Sequence, residues 1–166
     1  MAAPASRPRL RVAAVLPYQG GIVLVRHAKD GIAYHLLPGG GVEAGESVED
    51  ALRREVLEET GLECSVAAPL FISDSIDPDG GRHMVQLTFV ASVVGGELAA
   101  HPQDPAIVSI EAVDPRDLTT LDLRPPMAQA LYDASLDDFG IPARYLGALW
   151  TADAGSTNTG TASEAD

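Results

Sequence analysis

The sequence predicts an α/β fold: an α/β/α sandwich with a mixed β-sheet between helices. Three observations predict it. Short β-rich runs open the chain, one strongly helical segment follows them and is itself followed by further strands, and a second helical segment lies near the end. The 166 residues suffice for one domain with a hydrophobic core, and neither an internal repeat nor a second-domain boundary interrupts the pattern. The expected organisation is a loose leader over 1–8, a single domain over 9–150 and a disordered, small and polar tail over 151–166.

The elements follow in order. "LRVAAVLPY" and "GIVLVRHA" are β-rich runs separated by the hairpin signal "QGG", and "AKDG" turns the chain into a third strand, "IAYHLL". "PGGGVEAGES" is too rich in glycine for helix or strand and is expected as a loop. A helix should then start at Ser47. Its hydroxyl is a natural N-cap, Asp50 stands three residues later as a capping-box partner, and Gly61 supplies the C-terminal stop. "CSVAAPLFISDSI", "HMVQLTFVASVV" and "AIVSIEAV" read as strands, the first two joined by the turn "DPDGG". "PPMAQALYDASLDDFG" reads as a second helix with Pro125 and Pro126 at its start and Gly140 past its end. "RYLGALW" is an apolar closing segment.

The first helix carries the functional signal. At 100° per residue, Val48, Ala51, Leu52 and Val56 form the core-facing stripe, while Glu49, Asp50 and Arg53 fall on the opposite side. Glu55 and Glu59 land inside the apolar arc, Glu58 lands at its edge, and Leu57 points away from it. Burying unpaired carboxylates costs several kcal/mol each. Two of them ~5–6 Å apart repel by about 3 kcal/mol at an effective dielectric near 20. Arg54 can pair with Glu58 four residues on, yet one arginine cannot neutralise three glutamates. A hard divalent cation with oxygen ligands could. The alternative is a charged surface helix with an imperfect wheel.

Composition narrows the function. A net charge of −13 argues against non-specific nucleic-acid or anionic-membrane binding, and a bound divalent cation would still permit a phosphate-bearing substrate. The single cysteine, Cys64, forms no intrachain disulfide and is read as a small core residue. "MAAPASRPRLR" has no apolar stretch of the kind a secretory signal needs, and no run of residues has the length of a membrane span, so a cytoplasmic protein is expected.

Loop and helix together, "GGVEAGESVEDALRREVLEETGL", resemble the signature box of the Nudix hydrolase family without a departure. Gly40, Glu46, Arg54, Glu55, Val56, Glu58, Glu59, Gly61 and Leu62 fill that pattern in order. The resemblance implies the Nudix fold and a Mg²⁺- or Mn²⁺-dependent hydrolase of nucleoside diphosphates linked to a moiety X, releasing a nucleoside monophosphate and phosphate-X. It implies that Glu55, Glu58 and Glu59 bind metal, with the Gly39 carbonyl as a further ligand. Glu46 and Arg54 would brace them, and Glu55 or Glu58 would act as the general base. By analogy it also implies a homodimer. Gly40 is a candidate for substrate contact, and so is Arg26, at the end of "GIVLVR". Glu97, Asp104 and Glu111 are the later acidic residues that could join the site, each read first as a solvated charge.

His27, His35, His83 and His101 show no ligand spacing and are read as surface or core residues. Tyr34, Phe71, Phe139, Tyr145 and Trp150 are taken first as packing residues, with base stacking open to them. Pro78, sixteen residues after Leu62, resembles the ADP-ribose pyrophosphatase subgroup. ADP-ribose or a nucleotide sugar is therefore the expected substrate. A nucleoside triphosphate pyrophosphatase of the kind that clears oxidised nucleotides is the alternative, and a non-catalytic nucleotide sensor is the reading from another class.

Overall fold

The computed structural model describes residues 7–98 and 104–150. The leader up to residue 6, the tail from 151, and His101 therefore lie outside the described residues. The elements are β1 (Arg9–Val15), β2 (Pro17–Tyr18), β3 (Gly21–Lys29), β4 (Ile32–Leu36), β5 (Gly39–Gly41), α1 (Val48–Thr60), β6 (Leu62–Ile76), β7 (His83–Gly96), β8 (Ile107–Val113), a 3₁₀ turn (Pro115–Thr120), α2 (Ala128–Ser135) and β9 (Arg144–Ala148).

The strands form two sheets. The larger runs β5-β1-β7-β6-β9 and is mixed: β1 pairs in parallel with β7 and β6 with β9, while β1–β5 and β6–β7 are antiparallel. In the smaller, β3 pairs antiparallel with β2, β4 and β8. Both hairpins on β3 turn as "QG" and "DG" predict. Gln19 and Gly20, and then Asp30 and Gly31, all take positive φ, the geometry that matches the right-handed twist of the flanking strands.

Alternation along β1 builds the core on both faces of the large sheet. Ala13 and Val15 join one apolar cluster, with Leu118 of the 3₁₀ turn and Leu131 of α2. Val12, Ala14 and Leu16 join the other, with Ala51, Leu52 and Val56 of α1. The layers are thus helix, sheet, helix. Cys64 is buried in the α1 cluster, as expected, and burial pushes its thiol pKa up.

Two expectations need correction. The glycine run was expected as irregular loop, yet Gly39–Gly41 is a strand, paired with Ala13, Val12 and Arg11. Glycine is what lets it pair so closely: Gly39 has φ +149°, and a Cβ there would fall on the Val12 carbonyl oxygen. The second helix is shorter than the 125–140 stretch, ending at Ser135. Asp138 and Phe139 take positive φ, and Phe139 folds back to donate its N–H to the Ala134 carbonyl at 2.8 Å and pack on the core.

Among the described residues, no helix is long and apolar enough to cross a membrane.

Candidate active site

Capping fixes where α1 begins and so which way its side chains face. Ser47 Oγ accepts the Asp50 N–H at 3.1 Å and donates to the Asp50 carboxylate at 2.7 Å. Gly61, at φ +76°, ends the helix by donating its N–H to the Leu57 carbonyl. The wheel is realised in space: Ala51, Leu52 and Val56 are buried and Leu57 is exposed. Glu55 and Glu59 face inward with them.

Arg54 is the hub. Its Nε and Nη2 bind the two oxygens of Glu46 at 2.8 and 3.0 Å, and its Nη1 lies 2.8 Å from Glu55 and 3.4 Å from Glu58. Nη2 also donates to the Gly41 carbonyl at 3.1 Å, tying helix to β5. Those bonds hold the Glu46 carboxyl down to about 2, helped by the Glu43 N–H, and raise the Arg54 guanidinium above its ordinary value. Glu46 is thereby spent on the arginine, which suits a bracing role.

Glu59 is held differently. Its Oε2 accepts the Gly39 N–H at 2.9 Å. Burial pushes its carboxyl up to about 7, opposed by that N–H and by Arg11, and reinforced by Glu55 and Asp104. Glu55 packs so closely on Gly40 that a Cβ there would collide with its carboxylate. Gly40 is thus a space-keeper for Glu55.

Sequence reasoning missed Arg11. It is half-buried on β1, donates to the Gly39 carbonyl at 2.8 Å and the Leu37 carbonyl at 3.3 Å, and binds Gln86 Oε1 at 2.9 Å. Gly39 is therefore clasped from both ends, by Glu59 at its N–H and by Arg11 at its carbonyl. Beyond Arg11 opens a cleft of about 210 Å³, whose lining includes Tyr34, Arg82, Met84, Arg124 and Trp150.

Arg26 is not among those lining residues. It pairs across the small sheet with His35 and Ser109, whereas the neighbouring His27 pairs with Tyr34 on the opposite face of the strand. The arginines at the cleft are Arg11, Arg82 and Arg124 instead. Glu111 pairs with Leu24 and thus shares Arg26's face, and Glu97 is exposed beyond the end of β7. Asp104 differs from both: its charge acts on Glu59 and on His27.

The donor set fits a hard divalent cation. It consists of carboxylate oxygens on one helix face, too crowded and too buried to be neutralised by Arg54 alone, with a glycine keeping space before Glu55. Among the described residues, no three side chains are gathered into a metal-binding group as they stand. Glu55 turns to Arg54 and Glu59 to the Gly39 N–H.

A model of the NUDIX domain matches residues 7–134. The chain is 37% identical over 94 residues to the ADP-ribose pyrophosphatase of Methanocaldococcus jannaschii, a match spanning 56% of each, so it covers about half the length of that relative. It is 34% identical over 129 residues to the nucleoside triphosphatase NudI of Escherichia coli, across 70% of this chain and 89% of the relative. Among solved structures, a MutT NUDIX hydrolase from Burkholderia pseudomallei superposes with a TM-score of 0.66 at 28% identity, over 77% of this chain and 98% of that one.

Proposed function

This chain belongs to the Nudix hydrolase family, and on that premise we propose that it is a divalent-metal-dependent pyrophosphohydrolase of nucleoside diphosphates linked to a moiety X. One observation carries the proposal. Glu55 and Glu59 are crowded on the inward side of α1 with Glu58 at its edge, Glu59 buried far enough to hold its carboxyl up to about 7, Arg54 shared by Glu55 and Glu58, and Arg11 acting on Glu59. A chain without need of a cation would not keep that arrangement.

Glu55, Glu58 and Glu59 would hold Mg²⁺ or Mn²⁺, with one lone pair of the Gly39 carbonyl left over from Arg11 as a further oxygen. A cation held there supplies the positive charge that the phosphate oxygens require and acidifies a water. The chain's own residues do the rest. Arg54, fixed by Glu46, sets the angle of Glu55 and Glu58. Arg11 and Glu59 fix the Gly39 peptides between them. Glu58 is the most accessible of the three, with 41% of its side chain exposed against 16% for Glu55, and Arg54 holds it only at 3.4 Å. It is the better placed to take a proton from the attacking water. The products are a nucleoside monophosphate and phosphate-X.

Similarity to an ADP-ribose pyrophosphatase supports ADP-ribose or a nucleotide sugar as substrate. Similarity to NudI, over more of both chains, favours a second reading, a nucleoside triphosphate cleaved to monophosphate and pyrophosphate.

The test is product release from a panel of ADP-ribose, nucleotide sugars, NADH, coenzyme A, diadenosine polyphosphates, and oxidised and normal nucleoside triphosphates, with Mg²⁺ or Mn²⁺. Glu58→Gln and Glu59→Gln run alongside. Metal-dependent cleavage that both variants lose supports the proposal and names X. Failure on the whole panel, with uncleaved nucleotide still raising the melting temperature in the presence of metal, replaces the hydrolase by a sensor.

A further inference from the structure

The cleft beyond Arg11 has its own chemistry, and we propose that it seats the nucleobase of the substrate, stacked on Trp150, while X stays outside. This deepens the hydrolase reading and rests on it for the ligand being a nucleotide.

Size is the first argument. At about 210 Å³ the cleft falls below the ~300–1,000 Å³ of a site that encloses a whole small ligand, so it takes one ring system and not both halves of nucleoside diphosphate-X.

Lining is the second. Tyr34, Leu36, Met84, Pro125 and Trp150 give the cleft broad apolar and aromatic walls. Two of its three arginines are committed elsewhere. Arg124 is paired with Asp122 at 2.8 Å and lies 4.5 Å over the Tyr34 ring. Arg11 is spent on two carbonyls and Gln86. Arg82 is the remaining charge: it is exposed and makes no side-chain bond among the described residues, so an anion would find one cation there, whereas a flat heterocycle suits the walls. Tyr34 is already engaged, by Arg124 and by His27, whose ring stacks on it at 5.6 Å. Among the described residues Trp150 makes no ring contact, so it is the aromatic face open to a base.

Position is the third. A single residue, Gly39, separates the Arg11 wall of the cleft from Glu59. A base seated in the cleft therefore leaves its phosphates beside the carboxylates of α1.

Trp150 is the chain's only tryptophan, so intrinsic fluorescence reports on this site alone. The full-length protein is titrated with AMP, GMP, ribose 5-phosphate and inorganic pyrophosphate, with and without Mg²⁺. Saturable quenching by AMP or GMP, with ribose 5-phosphate and pyrophosphate silent, is the expected result. Trp150→Ala should then raise KM for the cleaved nucleotide by about tenfold with kcat within about twofold, and Trp150→Phe should restore most of it. Equal quenching by the base-free phosphates would make the cleft an anion site and overturn the proposal. A chain that cleaves a nucleotide yet shows neither quenching nor a KM change in Trp150→Ala would overturn it too, leaving the hydrolase reading intact. Quenching by AMP or GMP alone, in a chain that cleaves nothing, would support the cleft and sink the hydrolase.

Discussion

Arg53 and Arg54 are neighbours on one helix and meet opposite fates. Arg53 lies on the outer face with 44% of its side chain exposed, and pairs with Glu49 at 3.0 Å and Asp50 at 3.1 Å. Arg54 turns inward with 27% exposed, and joins Glu46, Glu55, Glu58 and the Gly41 carbonyl. Composition alone cannot separate them. The outer cluster is solvated and screened, where an ion pair is worth little. The inner cluster has more negative charge than its arginine can match, on a partly buried face. A turn of about 100° around the helix therefore separates a surface ornament from a candidate catalytic centre.

The largest effect should come from the inner carboxylates. Glu58→Gln is expected to lower kcat by about 10²–10⁴-fold with the fold intact, whereas Glu49→Gln on the outer face leaves kcat unchanged. Steady-state kinetics on the cleaved substrate decides; equal losses in both would erase the distinction between the faces. Next comes Arg54→Ala, which frees Glu55 and Glu58 to repel and swing. It should weaken Mn²⁺ binding by about 10–100-fold, read by calorimetry.

Glu59→Gln sharpens the comparison through stability. Folding holds the Glu59 carboxyl at about 7, above its ordinary 4.5. Between those values the folded chain keeps a proton that the unfolded chain has lost, so stability falls as pH rises through that window. In chelator, Glu59→Gln should flatten this fall and leave the metal-free protein about 2–3 kcal/mol more stable than wild type at pH 8, seen in urea melts at both pH values. The same variant should lose activity. The smallest effect belongs to Arg53→Ala, expected to shift stability by no more than about 0.5 kcal/mol and to leave metal binding alone.

What could be read from the sequence was what lies close along the chain. The caps at Ser47 and Gly61, the inward turn of Glu55 and Glu59, and the pairing of Arg54 with Glu58 follow from spacing within one helix, while the bracing of Arg54 by Glu46 comes from the resemblance of the box. The arrangement of the cleft did not, because it depends on contacts across strands. Arg11 meets Gln86, 75 residues away, through the parallel pairing of β1 with β7. Arg26 reads as either a phosphate contact, since its strand leads toward the site, or a surface arginine, and only the pairing across strands shows that it shares a face with His35 and Ser109. Gly39–Gly41 looked too flexible to pair, and proximity to Val12 explains why only glycine could. The sequence leaves Tyr34 and Trp150 between packing and base stacking because an aromatic at a cleft and one in a core carry the same letter.

The central claim is that the inward carboxylates of α1 hold a divalent cation and the outward ones do not. Calorimetric titration of Mn²⁺ into wild type, Glu55→Gln, Glu59→Gln and Glu49→Gln tests it most directly. Saturable binding in wild type and Glu49→Gln, weakened by at least about tenfold in Glu55→Gln and Glu59→Gln, is the predicted result. Equal affinity in all four proteins, or none in wild type, would contradict it.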